Sequence, residues 1–172
     1  MATAVEWTAI VTLAAVSAFG DVRTGRVPNT LTFGAAAIGL VFHAGSGGLG
    51  ASLLGYVVGL AVFLPLFALG GMGGGDVKLL AAFGAWLGPA GALGAAVWAS
   101  LVGGVFAIVV AAMRGYLLEA LRNLGALAAL WRTVGPVRVP ELTLSECRGP
   151  RLAYAVPIGI GAILALWLGS AF

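Results

Sequence analysis

The chain has 172 residues, of which 61% are hydrophobic and 9% charged, with a mean hydropathy of +1.09. A soluble domain carries about 25% charged residues, and a disordered chain is less apolar still, so both classes are excluded and an integral membrane protein remains. Since about 20 apolar residues cross a bilayer once, the length allows roughly six crossings and leaves no room for a separate soluble catalytic domain, so residues 1–172 read as one membrane domain.

The first apolar run covers about 4–20 and ends at Asp21. The start, MATAVEW, has no basic n-region, so this run reads as a retained helix and not a cleaved signal. A polar stretch, DVRTGRVPN, fills 21–29, and Pro28 stands where the next helix is expected to begin. The second run is about 30–44. The third is about 49–69 and leads into GGMGGGDVK at 70–78. A fourth, Val77 to Leu87, is short and is broken by Gly88-Pro89-Ala90-Gly91. The fifth covers about 92–113 and the sixth about 152–171, with Pro157 expected to kink it.

Between the last two runs lies the one long polar segment, 114–151. Leu117, Leu121, Leu124, Ala128 and Trp131 recur there at helical spacing, with Glu119, Arg122, Asn123 and Arg132 off that stripe. This pattern predicts a helix lying on the membrane surface with its apolar side down, followed by a loop over 135–150. Small residues four apart, Gly55 with Gly59 and Gly84 with Gly88, predict close helix contacts.

Charge fixes the expected orientation. All nine Lys and Arg residues fall in the loops on one side of a six-crossing topology, and the opposite loops hold none. By the positive-inside rule, 21–29, 72–78 and 114–151 face the cytoplasm and both termini face outward. His43 and Glu6 read as residues at outer helix ends. The single cysteine, Cys147, forms no intrachain disulfide and reads as an inert loop thiol. With one His and one Cys there is no cluster to hold a metal, so no cofactor is expected, and nothing points to nucleic acid.

The chain contains two aspartates, Asp21 and Asp76, both on the expected cytoplasmic side. From Asp76 to the Gly-Pro break the fourth helix rises about 18 Å. If it starts at the outer surface, Asp76 lies about 10 Å below the inner surface of a hydrocarbon core about 30 Å thick. An ionisable group at that depth is costly and is a functional candidate by default. Two carboxyl groups that share a water divide the work of peptide hydrolysis. The ionised one takes a proton from the attacking water, and the neutral one donates to the oxyanion and the leaving amine. Simpler roles stay open: Asp21 as a helix-end residue facing water, and Asp76 as an N-cap. At the level of function, a proton-coupled transporter or channel using the pair as a relay, or a non-catalytic assembly subunit, are the alternatives.

Both stretches match a known pattern. DVRTGRVPN at 21–29 resembles the Asp-x-Arg-x-x-x-Ile-Pro-Asn element of type IV prepilin peptidases, with Val27 in place of isoleucine. GGGDVK at 73–78 resembles their Gly-x-Gly-Asp-x-Lys element, and RLAYAVPIGIGAILAL at 151–166 is similar to their last helix. The resemblance implies an all-α, six-helix membrane aspartyl protease of the cytoplasmic (inner) membrane. Such a protease removes short basic leaders from prepilins or pseudopilins at the cytoplasmic face, beside a hydrophobic helix. It implies Asp21 and Asp76 as the catalytic dyad, with Arg23, Pro28, Asn29, Gly73, Gly75 and Lys78 shaping the site, and with the substrate helix and membrane lipid as partners. Larger members carry paired Cys-x-x-Cys elements and also methylate the new N-terminus. The lone Cys147 makes this chain similar to the short, protease-only forms of tight-adherence (Flp-type) pilus systems, so methylation is not expected.

Overall fold

Six helices account for nearly all of the residues that the computed structural model describes, which are 3–137 and 152–171. They are α1 (Ala4–Thr24), α2 (Asn29–Gly45), α3 (Leu49–Ala68), α4 (Gly74–Met113), α5 (Leu117–Val134) and α6 (Ala155–Ala171). Cys147, Arg138, Arg148, Arg151 and most of the expected 135–150 loop lie outside the described residues.

Local chemistry sets the helix ends. A capping box opens α1: the Thr3 hydroxyl accepts from the Glu6 N–H at 3.3 Å, and the Glu6 carboxylate accepts from the Thr3 N–H at 2.6 Å. The helix does not stop at Asp21, where the apolar run ends. Asp-Val-Arg-Thr contains no breaker, so the helix continues to Thr24 and ends at Gly25, whose φ of 65° only glycine adopts cheaply. Pro28 is the N-cap of α2, and its carbonyl accepts from the N–H groups of Leu31 and Thr32. Pro157 sits in the first turn of α6, where no intrahelical N–H is missed, so it starts the helix and does not kink it.

The expected fourth and fifth runs are two helical halves of α4, separated as expected at Gly88, where the backbone leaves the helix (φ 69°, ψ −179°) and Pro89 follows. A straight helix would put Gly103 about 40 Å from Asp76. Tyr154 nevertheless lies against Gly103 and within electrostatic reach of Asp76. The two halves of α4 therefore fold back on each other at Gly88. The bend strips the carbonyl of Ala85 of its helical donor, since Pro89 has no N–H. The buried Ser52 hydroxyl of α3 replaces that donor at 2.6 Å. Beside it, the His43 ring donates to the Trp86 carbonyl at 3.2 Å and lies 3.8 Å from the Glu6 carboxylate.

The first half of α4 is the hub of the bundle. Leu79, Leu80, Ala81, Ala82, Phe83 and Ala85 are fully buried, as a helix apolar all round must be. Packing around it uses the expected small residues. A Cβ at Gly59 would meet the Leu80 carbonyl oxygen at 2.6 Å, and one at Gly55 would run into the Gly84 carbonyl. α6 closes on the second half in the same way: a Cβ at Gly161 would lie 2.5 Å from the Ala95 oxygen.

The outside is apolar as well. Val22, Ile38, Val41, Val105 and Trp167 are among the many large apolar side chains more than half exposed. A soluble protein does not present such a surface, and a bilayer solvates it. Three helices, α1, α3 and α4, are long and apolar enough to cross a membrane, and α6 is a shorter apolar helix. The protein is thus a helical membrane protein. α5 stands apart from the bundle with no buried residue, touching α4 only lightly.

Candidate active site

The two aspartates come from different helices and lie toward the same end of the bundle. Asp21 lies in the last turn of α1, on the stripe Ile10, Leu13, Ala14 and Ser17 that faces α6, and it is buried. Its Oδ2 accepts a hydrogen bond from the backbone N–H of Ala155, the first residue of α6, at 3.1 Å. That N–H is one of the unpaired donors at a helix start, and the helix dipole adds positive potential there, so the position suits a carboxylate.

Asp76 is the third residue of α4, and the N-cap is Gly73. The plain N-cap role for Asp76 is therefore replaced by the third-position role, in which the side chain reaches back to the N-cap backbone. The Asp76 N–H donates to the Gly73 carbonyl at 3.1 Å, and the Asp76 carboxylate turns back toward Gly73. A Cβ on Gly73 would stand 3.0 Å from Asp76 Oδ2, so any side chain there would crowd the carboxylate. Asp21 and Asp76 lie within electrostatic reach of each other.

The loop between α1 and α2 is pinned onto the start of α4 at two points. Val27 is buried between exposed neighbours and rests on Gly75, where an added Cβ would meet Val27 Cβ at 3.4 Å. Lys78 Nζ donates to Asn29 Oδ1 at 2.9 Å and lies 5.5 Å from the centre of the Phe33 ring. The two sequence elements, about 50 residues apart, thus form one structural unit. Of the expected site-shaping residues, Asn29, Gly73, Gly75 and Lys78 hold this unit together, and Pro28 sets the turn into α2. Arg23 does not join them: it is exposed and its guanidinium lies over the Phe19 ring at 4.6 Å. Among the described residues, no ion pair links a basic side chain to either aspartate, and no group of His, Cys, Asp and Glu could hold a metal ion.

Tyr154 completes the surroundings. It is half-buried, packs edge-on against Phe63 of α3 with ring centroids 6.4 Å apart, and lies within electrostatic reach of Asp76. The arrangement is two carboxyl groups from separate helices, with Tyr154 near one of them. With one group ionised and the other neutral, such a pair can exchange protons with a water between them.

The model of the type IV leader peptidase family matches residues 8–108, a stretch that contains both aspartates and both motif elements. The chain belongs to the type IV leader peptidase family. It is also 37% identical over 106 residues to a prepilin leader peptidase/N-methyltransferase of Neisseria gonorrhoeae, an alignment covering 56% of this chain and 37% of that relative. The chain thus matches little more than a third of that relative's length. No solved structure matches it significantly.

Two contributors to the site were not singled out from the sequence. Ala155 and Tyr154 stand at the far end of the chain, beyond the stretch matched by the family model. A backbone donor leaves no mark on residue type, so no signal for Ala155 exists. The only hint was the likeness of 151–166 to the family's last helix.

Proposed function

We propose that this chain is a membrane-embedded aspartyl endopeptidase that removes the leader from prepilins or pseudopilins at the cytoplasmic face of the inner membrane. The observation that carries this reading is the convergence of Asp21 and Asp76 at one end of the bundle, each beside a helix start. One carboxylate takes a proton from water as it attacks the scissile carbonyl. The other, neutral, donates to the developing oxyanion and then to the leaving amine. Family membership supports the reaction class.

Six crossings by α1, α2, α3, the two halves of α4, and α6 fit the fold-back at Gly88. α5 then lies on the inner surface, its exposed leucines Leu118, Leu121 and Leu124 taken up by lipid. Arg23 and Arg26 at the end of α1 and Lys78 at the start of α4 stand at the same helix ends as the two aspartates, which supports a cytoplasmic site.

The test is to incubate the purified chain, and its Asp21→Asn and Asp76→Asn variants, with candidate prepilins and to sequence the product N-terminus. Leader removal by the parent chain and by neither variant is expected. Parent-like cleavage by either variant contradicts the dyad.

A further inference from the structure

α1 and α2 are consecutive antiparallel helices joined by four residues, and such neighbours ordinarily pack together. Here they barely touch. α1 leans on α6, and α2 leans on α3 and α4. Between them runs a groove of about 740 Å³. Its floor is the Trp86 ring of α4, whose indole N–H is already spent on the Ala35 carbonyl at 2.9 Å. The floor thus presents an apolar aromatic surface. The walls open outward: Val5, Val16 and Ile38 are each about half exposed or more.

The groove has the shape of a seat for a helix. From Val5 to Val16 it runs about 16 Å, or three helical turns. Gly34 and Ala35 on one wall and Ala9 on the other let a foreign backbone approach closely. Its direction is also informative. One end of the lining is Val16, a little over one turn along α1 before Asp21, whose side chain lies around the helix on the α6 side, and Thr30, next to the Asn29 that holds Lys78. A helix lying in the groove therefore ends beside the 25–28 connection, whose Val27 rests on Gly75 next to Asp76. Lipid needs no such alignment, whereas a membrane-inserted substrate that unwinds at the aspartates does.

We propose that the α1–α2 groove seats the apolar transmembrane helix of the substrate protein and delivers its cytoplasmic end to Asp21 and Asp76. This rests on the peptidase reading above. Gly34 offers a clean test, because a Cβ added there meets no atom within 4 Å. Gly34→Trp starts from that open position and puts a large side chain on the groove wall. It is expected to lower kcat/KM for a membrane-inserted prepilin at least tenfold. It should leave unchanged the cleavage of a soluble peptide that carries the leader and scissile bond but no apolar helix. Gly104→Trp, also with open space around it but on α4 away from the groove, leaves both substrates unaffected. Parent-like prepilin cleavage by Gly34→Trp, or an equal loss on both substrates, overturns the proposal.

A second readout does not depend on turnover. A photo-reactive benzoylphenylalanine at position 34, in full-length protein carrying Asp76→Asn, should cross-link to the apolar segment of the prepilin. Adducts with phospholipid alone, or with a second copy of this chain, overturn the groove assignment. A prepilin adduct from a protein whose parent form cleaves nothing keeps the groove and removes the peptidase reading. Absence of both adduct and cleavage removes both.

Discussion

The backbone N–H of Ala155 donates to Oδ2 of Asp21 across 3.1 Å, joining residues 134 positions apart in a buried contact. This bond fixes the carboxylate to the start of α6, and its acceptor survives when Asp is replaced by Asn but not by Leu. Asp21→Asn is expected to cut the rate of leader removal by about 10²–10⁴-fold, the usual weight of a general acid–base group. Its thermal unfolding in detergent should stay close to that of the parent. Asp21→Leu leaves the N–H unpaired and is expected to cost a further 1–3 kcal/mol or about that in stability. Equal unfolding temperatures for the two variants would show that the bond does not hold the helices.

Lys78 and Asn29 tie the two motif elements together, and both are at least partly open to solvent. Asn29→Ala and Lys78→Met should each weaken stability by about 0.5–1.5 kcal/mol, with the double variant losing no more than one of them. A double-mutant cycle on thermal unfolding measures this, and simple additivity would contradict the link.

Gly59 faces the Leu80 carbonyl at a spacing that no Cβ tolerates, and the atoms in the way are backbone. Gly59→Ala is expected to destabilise the bundle by about 1–3 kcal/mol through overpacking. Gly104→Ala, with no neighbour within 4 Å, should be near neutral. Unfolding in the same detergent compares them directly.

Ser52 serves the one carbonyl that Pro89 leaves without a helical donor. Ser52→Ala strands the Ala85 oxygen in the core and is expected to cost about 1–3 kcal/mol. Ser52→Thr, which keeps the hydroxyl, should cost less if the extra methyl fits. A loss for Ser52→Ala no larger than that of an exposed serine such as Ser46 would contradict the role.

The helices were legible because each of the first five apolar runs is followed by a breaker, at Gly25, Gly47, Gly70, Gly88 and Gly115, all with positive φ. Hydropathy stops at Asp21, whereas the backbone of α1 continues to Thr24, until Gly25 ends it. The glycine pairs were readable as packing surfaces, since small residues at four-residue spacing have few other uses in a membrane helix. The placement of Arg23 was not readable. It stands two residues from Asp21, but on a helix that offset turns the side chain about 200° away, onto Phe19.

By itself the sequence determined the membrane setting, the apolar runs, the confinement of the basic residues to a few polar stretches between them, and the family motifs with their aspartates. These follow from composition, local breakers and residue identity, which are properties of short stretches. Only the tertiary structure decided that the start of α6 grips Asp21, that Val27 seats on Gly75, and that α1 and α2 stand apart around a groove. Those facts depend on which helix packs on which. In a chain whose helices are nearly all apolar, hydrophobic pattern does not choose partners; close steric fit and the pairing of buried backbone groups do.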